Sequence, residues 1–141
     1  MTKSKVVISK SLEETFELGN KFAKSLKKGD VVALIGELGA GKTSFVKGMA
    51  SGLGVKKTNL VRSPSFTLLN EHLTGKIALY HFDLYRLFSE AELFEIGIED
   101  YLERDGISVI EWADHFPDFW PERTIYVRFE IISETQRRIC Y

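Results

Sequence analysis

Gly36-Glu37-Leu38-Gly39-Ala40-Gly41-Lys42-Thr43 is the stretch on which the reading of this chain turns. It fits the phosphate-binding pattern G-x-x-x-x-G-K-[ST], which carries weight only where a strand precedes it and a helix follows. Before it, Val31-Val32-Ala33-Leu34-Ile35 is the short, unbroken apolar run of a strand covered on both faces. After it, Phe45, Val46, Met49, Ala50 and Leu53 recur on one helical face, and Gly54 is placed to stop the helix. Strand, glycine loop and helix follow in the required order.

Phosphate chemistry accounts for each residue type. Triphosphate oxygens need many donors at short range, and glycines let successive backbone N–H groups curl inward at the positive end of a helix. Lys42 adds a full charge on a mobile stem for the β- and γ-phosphates. Thr43 offers a hydroxyl to Mg²⁺, a hard cation that prefers oxygen and keeps several waters. Such a site also calls for a carboxylate at the C-terminal edge of a neighbouring strand, to order the ion's waters or the attacking water. Two predicted strands end in one: Ile77-Ala78-Leu79-Tyr80-His81-Phe82-Asp83 and Ile107-Ser108-Val109-Ile110-Glu111. Either acid alone would pass for the cap of a turn, and spacing does not decide between Asp83 and Glu111 as the ion's partner. No N-K-x-D signature for guanine follows the loop, which favours adenine.

Outward from this centre the chain reads as alternating elements. A short strand is expected at residues 5–8. Ser11 and Glu14 then form the S-x-x-E capping box of a helix on which Leu12, Phe16, Gly19, Phe22, Ala23 and Leu26 keep helical spacing. Lysines 21, 24, 27 and 28 give that helix a solvated face. Beyond Gly54 the pattern breaks into a polar loop, Lys56 to Asn59, and then Arg62-Ser63-Pro64-Ser65-Phe66-Thr67, whose three hydroxyls around a proline suit either a turn or a loop that senses the γ-phosphate. Strands near 66–71 and 76–83 read as a hairpin turning at Thr74-Gly75, next to the strand before the glycine loop, so the sheet is expected to be mixed. A Ser89-initiated helix and a helical turn around Glu99 to Glu103 lead to the second acid-ending strand. Strands near 124–131 and 137–141 close the chain. His72 and His81 lack metal-ligand spacing and read as surface or packing residues; Arg62 and Arg86 read as surface charges, Trp112 as a neighbour of the nucleotide and Cys140 as a small apolar strand residue.

Composition narrows the function. With 141 residues, 44% hydrophobic and 28% charged, the chain has the make-up of one globular domain. Lys plus Arg is 19 against 20 Asp plus Glu, a formal charge of −1. Tight nucleic-acid binding draws on clustered cations, so any such role is expected to need a partner. No apolar run approaches the length of a membrane span or a signal peptide core, which points to a cytoplasmic protein without membrane contact.

Gly36 to Thr43, Ser63-Pro64-Ser65-Phe66-Thr67-Leu68, His81-Phe82-Asp83-Leu84-Tyr85-Arg86-Leu87 and Ile110-Glu111-Trp112, in that order, closely resemble the TsaE (YjeE) family, with Gly97, Tyr101 and Leu102 also matching. The resemblance implies a single P-loop NTPase-like α/β domain, a mixed, mostly parallel sheet flanked by helices. It implies an Mg²⁺-dependent ATPase needed for threonylcarbamoyladenosine on tRNA. The partners it implies are the TsaB and TsaD proteins, with tRNA contacted only indirectly through that complex. ATP/ADP would be cradled by Gly36, Glu37, Leu38, Gly39, Ala40, Gly41, Lys42, Thr43 and Ser44. By motif match, Thr43 and Glu111 hold Mg²⁺, Asp83 supports the ion or the water, and Thr67 faces the γ-phosphate, so that Lys42, Thr67, Asp83 and Glu111 are the expected catalytic set. The family's adenine environment, at the start of the first helix and in the loop before the final strand, points to Leu12 and Thr135, with Asp114 near the Glu111 motif. The family usually has Thr where this chain has Ser65, which keeps the hydroxyl. Other functions remain open: a nucleotide-dependent binding switch in which hydrolysis is incidental, and a small-molecule kinase, for which no acceptor-binding region is visible.

Overall fold

Val31–Ile35 (β2), uniformly apolar, is the middle strand of the molecule. In a computed structural model that describes residues 4–58, 61–64 and 67–141, the other strands are Val6–Ser9 (β1), Leu69–His72 (β3), Leu79–Asp83 (β4), Ile107–Glu111 (β5), Ile125–Ile131 (β6) and Arg137–Cys140 (β7). They form one sheet in the order β1-β7-β6-β2-β5-β4-β3. The expected residues Asn59, Ser65 and Phe66, and the N-terminal Met1 to Lys3, lie outside the described residues.

The inner ladders β2/β5, β2/β6 and β4/β5 are parallel, whereas β1/β7, β6/β7 and β3/β4 are antiparallel. The sheet is mixed as expected. The hairpin β3–β4, however, does not adjoin β2, because β5 is inserted between them. A local turn signal fixes which strands form a hairpin, but not which strand the hairpin pairs with.

Period-2 alternation distributes the side chains of β2 and β5 to two cores. Val32, Leu34 and Val109 pack with Phe22, Phe45, Val46 and Met49 beneath α1 (Leu12–Lys24) and α2 (Lys42–Gly52). Val31, Ala33 and Ile110 face α3 (Glu90–Glu95), α4 (Ile98–Leu102) and Trp120 on the other side. α1 and α3 start where their sequence says: Ser11 accepts from the Glu14 amide, and Ser89 and Glu92 form a reciprocal capping box. The apolar stripe of α2 is buried as predicted, but Leu12 at the start of α1 is 63% exposed, and Thr15 takes the inward position.

α1 and α2 pack backbone to backbone. A Cβ on Gly48 would collide with the Phe16 carbonyl, one on Gly19 with the Phe45 carbonyl, and one on Gly52 would lie 2.6 Å from the Asn20 oxygen. Among the described residues no helix is long and apolar enough to cross a membrane.

Candidate functional site

The glycine loop leaves the C-terminal end of β2, the edge at which β4 and β5 also end. Register places Leu34 beside Glu111 and Glu111 beside Asp83, so both acids arrive at the mouth of the loop on the face that α2 covers. Gly41 is the N-cap of α2 with φ +95°, a conformation that a side chain would strain. The first-turn amides of α2 therefore point at the space in front of the loop, with the positive end of the helix behind them.

Lys42 is buried at 5% exposure. Its Nζ donates to Gly36 O at 2.7 Å and lies 4.1 Å from the centroid of the Trp112 ring. Burial pulls its pKa below the usual lysine range, while Glu111, Asp83 and Asp114 oppose that pull. Trp112 holds its ring there from a backbone φ of +62°, rare for a bulky residue and a mark of a site that the surrounding structure enforces.

Thr43 and Glu111 are joined through one hydroxyl. Thr43 Oγ1 lies 3.1 Å from Ser63 Oγ, and Ser63 Oγ donates to Glu111 Oε2 at 2.9 Å. His81 Nε2 reaches the same Oε2 at 2.6 Å. Burial pushes the Glu111 carboxyl up, but the hydrogen bonds from His81 and Ser63, with the charge of Lys42, outweigh it and hold the group below the usual carboxylate range. Asp83, also buried, accepts from the Tyr85 amide at 3.0 Å. Leu38, Ser63, Asp83, Tyr85, Arg86, Glu111 and Trp112 line a cleft of about 260 Å³.

Lys42, Thr43, Asp83, Glu111 and Trp112 are thus brought together, with Asp114 close enough to act on Lys42. Leu12 and Ser44 share a separate depression of about 280 Å³ between α1 and α2. Thr67 is exposed and donates to Asn70 Oδ1 at 3.3 Å. Thr135 lies in the β6–β7 turn. That turn is tied to the glycine loop by Arg137, which donates to Gly39 O from Nη2 at 2.9 Å and Nε at 3.2 Å, and to Ser133 O at 2.6 Å.

The structure adds to the reading of three residues. His81, read as surface or packing, is fully buried against Glu111; its place two residues before Asp83 on one strand face was the available signal. Arg86, read as a surface charge, is exposed as expected and also lines the cleft. Arg137 offered no signal, since its contact spans 98 residues.

A central strand, a glycine-capped helix and two strand-end carboxylates meeting at one edge define a mixed α/β protein built around an anion-receptive loop. The family model described as "Threonylcarbamoyl adenosine biosynthesis protein TsaE" matches residues 9–139, and the chain belongs to this family of tRNA threonylcarbamoyladenosine biosynthesis. The chain is 39% identical over 132 residues to "tRNA threonylcarbamoyladenosine biosynthesis protein TsaE" of Treponema pallidum, covering 94% of this chain and 96% of that one. The protein of the same name from Aquifex aeolicus is 41% identical over 137 residues, covering 96% and 93%. The crystal structure of Bacillus subtilis YdiB superposes with a TM-score of 0.83 at 32% identity, covering 99% of this chain and 85% of that one.

Proposed function

We propose that this chain is an Mg²⁺-dependent ATPase subunit of threonylcarbamoyladenosine formation on tRNA, a cytoplasmic protein that acts on the TsaB–TsaD complex to permit repeated turnover. Family membership supports the tRNA-modification part. The run of hydrogen bonds Thr43–Ser63–Glu111 at the mouth of the glycine loop carries the hydrolytic part.

The donor set suits the ion. Thr43, Glu111 and Asp83 offer only hard oxygens, and among the described residues no group of three or more His, Cys, Asp or Glu forms an all-protein metal cage. Mg²⁺ typically takes one or two carboxylates and completes its shell with phosphate and water. When bound, it supplies charge neutralisation on the β- and γ-phosphate oxygens.

The residues supply the remainder. The α2 amides and Lys42 hold the phosphates, Thr43 and Glu111 would hold the ion, and Asp83 supports the ion or the attacking water. In this reading Leu12 and Thr135 contact the adenine and Thr67 the γ-phosphate. A cleft that no lid among the described residues covers organises water poorly, so activity is low alone and rises on docking to TsaB and TsaD. ATP and GTP turnover, measured with and without those partners, tests this. A high isolated rate unchanged by the partners, or equal use of GTP, would count against it.

One observation favours a second reading, a binding switch. Lys42 already donates to Gly36 O, and Thr43 already meets Ser63. A nucleotide must replace these contacts, which couples its arrival to residues 61–64. Glu111→Ala separates the readings: loss of hydrolysis with tRNA modification intact over many turnovers would favour the switch.

A further inference from the structure

We infer that His81 is a positioning residue whose Nε2–H holds one oxygen of Glu111, leaving the other presented to the nucleotide site. The inference rests on the hydrolytic reading of Glu111 given above and adds a residue to it. His81 has no solvent exposure and lies on the α2 side of β4 in the layer with Leu79 and Val109. Its Nε2 is 2.6 Å from Glu111 Oε2, and its Nδ1 has no hydrogen-bond partner among the described residues. A carboxylate has no proton to give, so the imidazole donates and its tautomer is fixed with hydrogen on Nε2.

The unpaired Nδ1 is what makes the contact informative. A buried polar atom left without a partner costs stability, and an aliphatic residue would fill this layer without that cost. The ring makes one polar contact, to Glu111. Ser63 Oγ donates to the same Oε2. Two donors on one oxygen immobilise a side chain that would otherwise sample several rotamers, while Oε1 accepts from none of the described residues and Glu111 lines the cleft. The β4/β5 ladder, with His81 beside Val109 and Asp83 beside Glu111, sets the imidazole by backbone register.

The test compares steady-state ATP hydrolysis by the full chain and its variants. His81→Leu, close in volume but without a donor, should lower kcat at least about tenfold with KM for ATP within about threefold. His81→Gln, whose amide N–H₂ reaches a similar point, should recover at least about fivefold over the Leu variant. In a Glu111→Ala background, His81→Leu should cost nothing further. Independently of turnover, ¹⁵N-imidazole NMR should show His81 as the Nε2–H tautomer, with a downfield proton that moves in Glu111→Gln. An unchanged kcat in His81→Leu, an equal loss in the Glu111→Ala background, no recovery with Gln, or an Nδ1–H tautomer would each overturn the proposal. If the unmodified chain hydrolyses no ATP under any condition, the hydrolytic reading fails, and the tautomer alone decides whether His81 holds Glu111.

Discussion

Lys42 Nζ stands 4.1 Å above the centroid of the Trp112 ring while donating to Gly36 O. Any phosphate that engages the ammonium therefore changes the electrostatic surroundings of the indole. Trp112 is also 5.1 Å from the Tyr85 ring, whereas Trp120 is buried on the far face with its N–H bonded to Ala113 O. Intrinsic fluorescence should change on adding ADP with Mg²⁺. The change should vanish in Trp112→Phe and survive in Trp120→Phe; the reverse pattern would place the reporter elsewhere.

Lys42→Met should weaken nucleotide binding by ~2–4 kcal/mol, the usual cost of truncating one member of a charged hydrogen-bonded pair. Stability should move the other way. A lysine held below its unfolded pKa sheds its proton more readily when folded, so its buried charge costs the fold at neutral pH, and that cost fades as pH rises through the folded value. Removing the charge should keep or raise Tm. Calorimetry of binding and of unfolding checks both halves, and a clear drop in Tm would contradict the second.

Glu111 has the opposite sign. Its folded pKa lies below the unfolded value of 4.5, so its contribution to stability is fully present above that pH and is lost as pH falls through the folded value. Ser63→Ala removes one of the bonds that lowers the folded value, so acid unfolding followed by circular dichroism should shift to higher pH. Glu111→Gln should flatten the dependence in the same window. The Ser63 variant should also lose activity by about tenfold, because the link between Thr43 and Glu111 is cut.

Arg137→Met should reduce ADP affinity by ~1–2 kcal/mol, since two charge-assisted bonds to Gly39 O hold the tip of the loop. Isothermal titration decides the point. An unaltered affinity would mean that the loop keeps its shape without the guanidinium.

Gly48→Ala should destabilise the protein by ~2 kcal/mol or more, because the added methyl meets the Phe16 carbonyl and the two helices have no compressible side chain between them. The same substitution at Gly39, with open space around the missing Cβ, should be costly only through its φ of +81°. Denaturant unfolding of the two variants compares them directly.

Much of this architecture was legible in local pattern. β2, α2 and the capped starts of α1 and α3 follow from runs and spacings a few residues long, and so does the arrival of Asp83 and Glu111 at strand ends. What stayed hidden is nonlocal. Nothing near Ile107 announces that β5 will separate the hairpin from β2, because strand order depends on pairing across the chain. Arg137 and Gly39 meet only through the fold. His81 misled for a different reason: a histidine in an apolar strand satisfies the same alternation whether it packs or holds a carboxylate, and only the distance to Glu111 distinguishes the two.

The direct contact of α1 and α2 determines which parts can act as moving pieces. With main chain against main chain at Gly19 and Gly48, the helix behind the glycine loop has no slack in which to tilt or slide. A mechanical signal that starts at the phosphates must then travel outward through Ser63 and the start of the β3–β4 hairpin, so a spin label near Thr67 would register nucleotide exchange while one on α1 would stay silent.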